Sequence, residues 1–189
     1  DPAATLENDP RERFLEFWNL VCPQYGQQLD GSRPPLKNRG IDTGMGLERL
    51  AALLQDKETV FDTDGIFSII EATQSLTNVA YTDRPVPYRV IADHIRALSF
   101  MIADGILPSN EGRGYVLRRL LRRAARFGRE LGLERPFLHT VSGAVVDRLG
   151  HQYPELVEGR KQIAHIIRLE EERFAGTLAR GMEILAEVF

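Results

Sequence analysis

Hydrophobic and polar positions divide the chain into a short part with extended patterns and a longer part with helical spacing. The segment at 14–22, FLEFWNLVC, is rich in aromatic and apolar residues and predicts a strand buried on both faces. A second strand is predicted at 40–43, and the turn residues at 30–35 make the two strands antiparallel neighbours. Because Pro23 removes a backbone donor, the first strand is expected to end early.

The stretch at 40–50, GIDTGMGLERL, predicts a strand end that turns sharply into a helix. Gly44 and Gly46 lie at this turn, where the absence of a Cβ permits close approaches to the main chain. Asp42 and Arg49 bracket the turn with opposite charges. On these residues alone two interpretations stay open: a ligand site against the backbone, or a plain turn with a solvated charge pair.

Beyond this turn the pattern is helical. Helices are predicted at 63–76, 88–103, 112–131, 136–149 and 161–189. The polar stretch that contains Pro85 and Pro87 is predicted as a loop at a domain boundary. The predicted fold is therefore mainly α, with two or three antiparallel strands in the first 45 residues. The predicted domain limits are 1–57, 58–87 for a connecting helix and loop, and 88–189.

Composition sets the broad class of the protein. The chain has 189 residues, of which 43% are hydrophobic and 27% charged, as in ordinary globular proteins. The pattern holds neither a membrane-spanning run nor a signal peptide, and Cys22, the single cysteine, excludes an internal disulfide. The four histidines have no metal-ligand spacing. A cytoplasmic location is expected. The chain lacks an initial methionine and stops within a helical pattern, so we expect a piece of a longer protein.

The segment at 110–130, NEGRGYVLRRLLRRAARFGRE, predicts a strongly basic helix. Of the 24 basic residues of the chain, 21 are arginines. Helical spacing puts five of them on one face, with Arg123 at its edge: Arg118, Arg119, Arg122, Arg126 and Arg129. It puts the apolar residues on the opposite face: Val116, Leu117, Leu120, Ala124, Phe127 and Leu131. Like charges at this spacing repel one another, and a phosphate backbone would offset that repulsion. The alternatives are a solvated face, or a face that pairs with acidic residues of a neighbouring helix such as the run at 170–172.

Two asparagines each carry two open interpretations. Asn110 precedes the basic helix, where it either caps the helix or presents its carboxamide to a base edge. Asn19 lies among apolar residues of the first strand, either as a hydrogen-bonded core amide or as a ligand contact.

Two long segments resemble one family. IDTGMGLERLAALLQ at 41–55 resembles motif 3 of class II aminoacyl-tRNA synthetases, in the form typical of the alanyl-tRNA synthetases. The segment at 89–132, from RVIADHIRAL to RFGRELG, resembles the tRNA-recognition helices of the same family. FLEFWNLV and EEERFAGTLARGMEIL extend the likeness from Phe14 to Leu185. The resemblance implies the last strands and motif 3 helix of an α+β catalytic domain, followed by a helical tRNA-recognition domain.

The resemblance also implies an activity and its residues. The family condenses alanine with ATP, with Mg²⁺, to alanyl-adenylate and transfers alanine to the 3′ end of its tRNA. By position, the alanine-binding residues would be Asn19, Val21, Asp42 and Gly44. The ATP-binding residues would be Gly46 and Arg49. Asn110 matches the residue that reads a G·U pair in the acceptor stem, beside tRNA-binding arginines at Arg113, Arg118, Arg119, Arg122 and Arg126.

The chain departs from the family in what it contains. Cys22 and Pro23 stand where the family has aromatic and aliphatic residues. Class II motifs 1 and 2 and the zinc-binding editing domain are absent from this sequence, so the chain alone is expected to be inactive. Two other classes stay open: a non-catalytic RNA-binding helical module, and a DNA-binding helical protein. The arginine pattern predicts phosphate contacts, which do not distinguish RNA from DNA.

Overall fold

The computed structural model describes residues 15–188, except for the side chains at 182, 185, 187 and 188 of the last helix. Phe14, the first residue of the first predicted strand, lies outside the described residues, as does Phe189. The chain divides into two compact units, Asp1–Thr63 and Asp64–Phe189. The mainly α fold class is confirmed. The domain limits inferred from the sequence stay predictions.

The first unit contains a small antiparallel sheet. Strand β1 (Trp18–Val21) pairs with β2 (Asp42–Met45), and helix α1 (Leu47–Leu54) and a 3-10 turn (Val60–Asp62) follow. The predicted early end of the first strand is confirmed, because β1 stops two residues before Pro23.

The prediction that the first strand is buried on both faces was wrong. All four residues of β1 are exposed, with Trp18 at 46% and Leu20 at 59%. A sheet buries its faces only where other layers cover them. Within the described residues, the sheet has only these two strands, and both are exposed along their whole length.

The second unit is a helical bundle with a largely apolar core. Its helices are α2 (Asp64–Gln74), α3 (Pro85–Ala103), α4 (Gly112–Glu130), α5 (Leu138–Leu149), α6 (Pro154–Glu158) and α7 (Arg160–Val188). Helix α3 lies at the centre and packs against each of the other five. Its fully buried face follows helical spacing: Tyr88, Ile91, Ala92, Ile95, Leu98 and Ile102.

Two helix predictions were wrong in detail. The predicted loop around Pro85 and Pro87 is the first turn of α3, which begins at Pro85. Proline fits there because the first helical N–H groups have no partner within the helix. Helix α6 was not predicted, since five residues are too few to show a periodic pattern.

The apolar face of α4 agrees only in part with the prediction. Leu117 and Ala124 are fully buried as predicted, but Leu121, which was not assigned to this face, is fully buried too, and Val116 is 49% exposed. On α7, Ile163 and Ile167 are fully buried. Within the part of the chain that the structure describes, no helix is long and apolar enough to cross a membrane.

Candidate functional site

Helix α4 carries the predicted arginine face. Because its buried residues face the bundle, Arg119 and Arg126 are exposed to solvent on the other side. The side chains of Arg118 and Arg122 are less open, at 28% and 30% exposed. Arg113 is exposed in the first turn of the helix.

A buried glutamate of α7 divides these arginines into two kinds. Glu170 is 3% exposed, and its Oε1 accepts bonds from Nε of Arg118 at 2.9 Å and Nη2 of Arg122 at 2.9 Å. Nε of Arg122 donates to the same oxygen at 3.1 Å. The acidic run thus pairs with two arginines. Among the described residues, Arg119 and Arg126 have no ion-pair partner.

Asn110 belongs to the same cluster and does not cap α4. The N-cap of α4 is Glu111, whose own side chain makes no capping bond, and the side chain that bonds to the backbone of Glu111 is Ser109, so the capping interpretation of Asn110 was wrong. Instead, Nη1 of Arg118 donates to Oδ1 of Asn110. Within the described part of the chain, no partner is found for the Nδ2 amide of Asn110.

These residues line a cleft of about 270 Å³ at the start of α4. Its walls are Asn110, Tyr115, Arg118, Arg119 and Arg122. Tyr115 is 50% exposed and was missed by sequence reasoning. Its position one turn before Arg119 was the signal that could have found it. An aromatic ring beside arginines suits nucleotides, because bases stack on rings while guanidinium groups bind phosphates.

The four residues assigned to alanine lie together on the sheet of the first unit. Asn19 pairs directly with Gly44, and Val21 pairs with Asp42. Directly opposed residues of an antiparallel pair point to the same face, and residues two apart in a strand do so as well. All four positions therefore share one face of the sheet. That face offers one carboxylate and one carboxamide beside an apolar side chain and an open glycine.

Gly44 makes room for a side chain of the protein itself. A Cβ at this position would lie 3.2 Å from Oδ1 of Asn19. Nδ2 of Asn19 donates to Oε1 of Glu16 at 3.0 Å, while Asp42 Oδ1 accepts the backbone N–H of Thr43 at 2.9 Å. Asn19 is exposed, so the interpretation as a core amide was wrong. Sequence reasoning also missed Glu16, which no motif singled out.

Gly46 likewise leaves room for a side chain of the protein, that of Arg49. Gly46 is the residue before α1, and a Cβ there would lie 3.2 Å from Cδ of Arg49. The arginine crosses the glycine and donates from Nη1 to the backbone oxygen of Glu16 at 2.6 Å. An added Cβ at either glycine would therefore meet a side chain of the protein, that of Asn19 at Gly44 and that of Arg49 at Gly46.

Helix α7 carries a second buried carboxylate next to Glu170. Glu171 is 4% exposed and accepts the backbone N–H groups of Phe137 at 3.0 Å and Leu138 at 3.1 Å, at the start of α5. Burial raises the pKa of Glu171 to about 7, against the lowering effect of these two hydrogen bonds. In the described ranges, no group of three or more His, Cys, Asp and Glu residues is placed to hold a metal ion.

Comparison with known proteins gives one family. The model of the class II (A) tRNA synthetases matches residues 1–189. The alanine–tRNA ligase of Pelotomaculum thermopropionicum is 56% identical over 177 residues, which cover 92% of this chain and 20% of that protein. The ligase of Shouchella clausii is 48% identical over 188 residues, or 96% of this chain and 22% of that protein. The ligase of Geobacillus kaustophilus is 51% identical over 185 residues. The chain thus spans about a fifth of the length of these relatives.

Proposed function

The chain belongs to the class II (A) family of tRNA synthetases, and from that premise we propose that it is part of an alanine–tRNA ligase. The whole ligase would join alanine to ATP, giving alanyl-adenylate and pyrophosphate, and would then transfer alanine to the 3′ end of tRNA(Ala). Support comes from relatives of that name, which match more than nine-tenths of this chain. A cytoplasmic location stays a prediction.

In this proposal the second unit binds the acceptor stem of the tRNA. The observation that carries it is the cleft of Asn110, Tyr115 and three arginines at the start of α4. Arg119 and Arg126, which have no acidic partner in the described part of the chain, would make the strongest phosphate contacts. Arg118 and Arg122 already share the charge of Glu170, so they would contribute less to phosphate binding.

The polar and aromatic residues of the cleft would contact bases. The ring of Tyr115 is exposed and would stack on an unpaired base near the end of the stem. The carboxamide of Asn110 would contact the edge of a G·U pair, as its match to the family implies. Arg113, exposed in the first turn, would lie near the same backbone.

The first unit would contribute to the alanine site. The carboxylate of Asp42 would bind the ammonium group of alanine, since an ion pair and hydrogen bonds both favour that contact. Gly44, which pairs with Asn19, adds no side chain of its own beside Val21 and Asp42 and would leave room there for the methyl group of alanine. Asn19 would contact the carboxylate or amine of the amino acid.

Gly46 and Arg49 would form part of the ATP site. Arg49 now bonds to the backbone oxygen of Glu16, and ATP would compete for the same guanidinium group. Mg²⁺ would be bound mainly by the phosphates of ATP, as this ion usually retains water and few protein ligands. The zinc of an editing domain would be held by residues outside this chain.

The test is binding of the 189-residue chain to a hairpin with the alanine acceptor stem, measured over a series of salt concentrations. The variant with Arg119→Ala and Arg126→Ala is expected to bind more weakly. Its slope of log K against log salt should fall by about two, or one unit for each lost phosphate contact. The control, Arg33→Ala with Arg39→Ala, removes the same charge from the first unit and should leave the slope unchanged.

Two outcomes would count against the proposal. One is a wild-type chain that fails to bind the hairpin at low salt, and the other is an equal loss in the control variant. A DNA duplex of the same sequence serves as competitor. If it displaces the RNA hairpin at equal concentration, the chain reads phosphates alone, and the DNA-binding alternative is favoured.

A further inference from the structure

Glu170 is a charged group in a buried position, and its surroundings explain how it is tolerated. It is 3% exposed, and a single carboxylate oxygen accepts three hydrogen bonds from Arg118 and Arg122. A buried carboxylate is costly unless it is paired and hydrogen-bonded. The two guanidinium groups are therefore held by α7, while two other arginines of the same face, Arg119 and Arg126, have no acidic partner among the described residues.

Arg118 connects this carboxylate to Asn110. Its Nε donates to Oε1 of Glu170 at 2.9 Å, and its Nη1 donates to Oδ1 of Asn110. The guanidinium group is planar and rigid, so fixing one N–H direction fixes the others. Its groups are all donors, so the atom of the carboxamide that faces Arg118 must be the oxygen.

We propose that Glu170 is a positioning residue for base recognition, because it fixes Arg118, which in turn holds the carboxamide oxygen of Asn110. Asn110 then presents its NH₂ group, and the base atom that it contacts is a hydrogen-bond acceptor, such as a carbonyl oxygen or a ring nitrogen. An exocyclic amino group, which is itself a donor, is excluded as the partner of this NH₂ group. This inference rests on the proposed function, in which Asn110 reads a base edge of the stem.

Arg122 provides a matched comparison within the same cluster. It bonds to the same oxygen of Glu170 as Arg118 does, with Nη2 at 2.9 Å, and its side chain is similarly exposed, at 30% against 28%. Only Arg118 bonds to Asn110 in the described structure. The change of either arginine to lysine keeps the positive charge. Arg118→Lys removes the second donor that reaches Asn110, whereas Arg122→Lys leaves the link through Arg118 in place.

The first measurement is the ratio of dissociation constants for two acceptor-stem hairpins, one with the G·U pair and one with G·C. Arg118→Lys is expected to lower this preference by about tenfold, the usual loss for one base contact. Arg122 lines the same cleft, so Arg122→Lys should weaken binding to both hairpins by a similar factor and leave their ratio at the wild-type value. Glu170→Gln should lower the preference as well. The same change should tighten binding to both hairpins by about twofold or more, since two guanidinium groups lose their neutralising charge.

A residue needed only for folding would not give this result. Loss of structure would weaken binding to both hairpins and would not raise it, and melting followed by circular dichroism detects such a variant. Equal preferences in Arg118→Lys and Arg122→Lys would overturn the inference. A hairpin with inosine in place of the G tests the acceptor claim. Its lost amino group should not change binding, and a loss of about tenfold would overturn the claim.

A second measurement needs no RNA and separates this inference from the proposed function. In the free chain, the heteronuclear NOE of the Asn110 side-chain amide is expected to show an ordered group. Arg118→Lys and Glu170→Gln should release it, and Arg122→Lys should not. An amide that stays ordered in Arg118→Lys would overturn the positioning role. If the amide behaves as expected but the wild-type chain shows no G·U preference, the base-reading function fails while the link from Glu170 to Asn110 stands.

Discussion

The two units hold their candidate site residues in different ways. In the first unit, Asn19 and Asp42 project from an exposed two-stranded sheet, and Arg49 is fixed by a bond to the backbone of Glu16. In the second unit, Arg118 and Asn110 are anchored to Glu170, a buried residue on another helix. Strand register and local hydrogen bonds align the first set. Contacts between packed helices align the second set, so the geometry of the cleft depends on the packing of α7 against α4.

The largest expected difference between the two units is in stability, and it is tested by removing the same side-chain atoms from each unit. Leu98→Ala in the core of the second unit is expected to destabilise the chain by about 2–5 kcal/mol, through lost burial and a cavity. Leu20→Ala on the exposed sheet should change stability by about 0.5 kcal/mol or less, since Leu20 is 59% exposed. Urea unfolding measures both. Equal losses would mean that the sheet is as well packed as the bundle.

The next effect concerns pH and the buried Glu171. Its pKa in the folded chain is raised to about 7 from an ordinary 4.5, so the folded state binds the extra proton between these values. The free energy of unfolding should therefore fall as pH rises through this window, by an amount on the order of 3 kcal/mol. Glu171→Gln, which keeps an oxygen for the N–H groups of Phe137 and Leu138, should remove this dependence.

The control for this pH prediction is the difference in the free energy of unfolding between the wild type and Glu171→Gln. Burial lowers the pKa of His139, so the contribution of His139 makes the free energy of unfolding rise with pH. This contribution is the same in both proteins. The difference between the wild type and Glu171→Gln, measured by urea unfolding from about pH 5 to pH 8, isolates Glu171. A difference that does not vary with pH would show that Glu171 titrates as an ordinary carboxyl group.

A smaller effect is expected at the cleft. Tyr115→Ala should weaken hairpin binding by about 1–3 kcal/mol, the usual range for one base stacked on a ring. Tyr115→Phe should keep most of the affinity, because the ring is retained. Tyr25 is similarly exposed, at 60%, and lies on the first unit, so Tyr25→Ala is the control. A loss in Tyr115→Phe equal to that in Tyr115→Ala would assign the effect to the hydroxyl group instead.

The smallest expected signal is none at all. The chain alone should show no alanine-dependent exchange of pyrophosphate into ATP. The residues assigned to alanine binding lie on an exposed sheet, and class II motifs 1 and 2 are absent from this sequence. Asp42→Asn should give the same blank value. Exchange by the wild-type chain that Asp42→Asn abolishes would mean that the first unit forms a working site without further parts.

Sequence reasoning succeeded where local pattern controls structure. Helical spacing located α4 and α7, and the stretch at 40–50 correctly predicted a strand followed by a helix. The strand was predicted at 40–43, whereas it runs from Asp42 to Met45 and includes Gly44. It failed for the burial of β1, because burial depends on neighbouring layers that the pattern of one strand does not specify.

The relative positions of the candidate site residues were predictable to a similar extent. The motif match selected Asn19, Gly44 and their partners, and the strand register brings these positions to one face. The pairing of Glu170 was predicted only as a run of three acidic residues. The burial of Glu170 could have been predicted from the sequence. Glu170 follows Ile163 and Ile167 at helical spacing, so it falls on the buried face of α7. Its partners could not be predicted, because they depend on how α7 packs against α4.

Helix α7 carries two adjacent buried carboxylates that face different neighbours, and this restricts how the segment can change in length. Glu170 bonds to arginines of α4, while Glu171 bonds to the first backbone N–H groups of α5. One residue inserted between Ile167 and Glu170 would rotate both carboxylates by about a quarter turn and separate each from its partners. Insertions there should be rejected during evolution, whereas the exposed positions after Leu178 should tolerate changes in length.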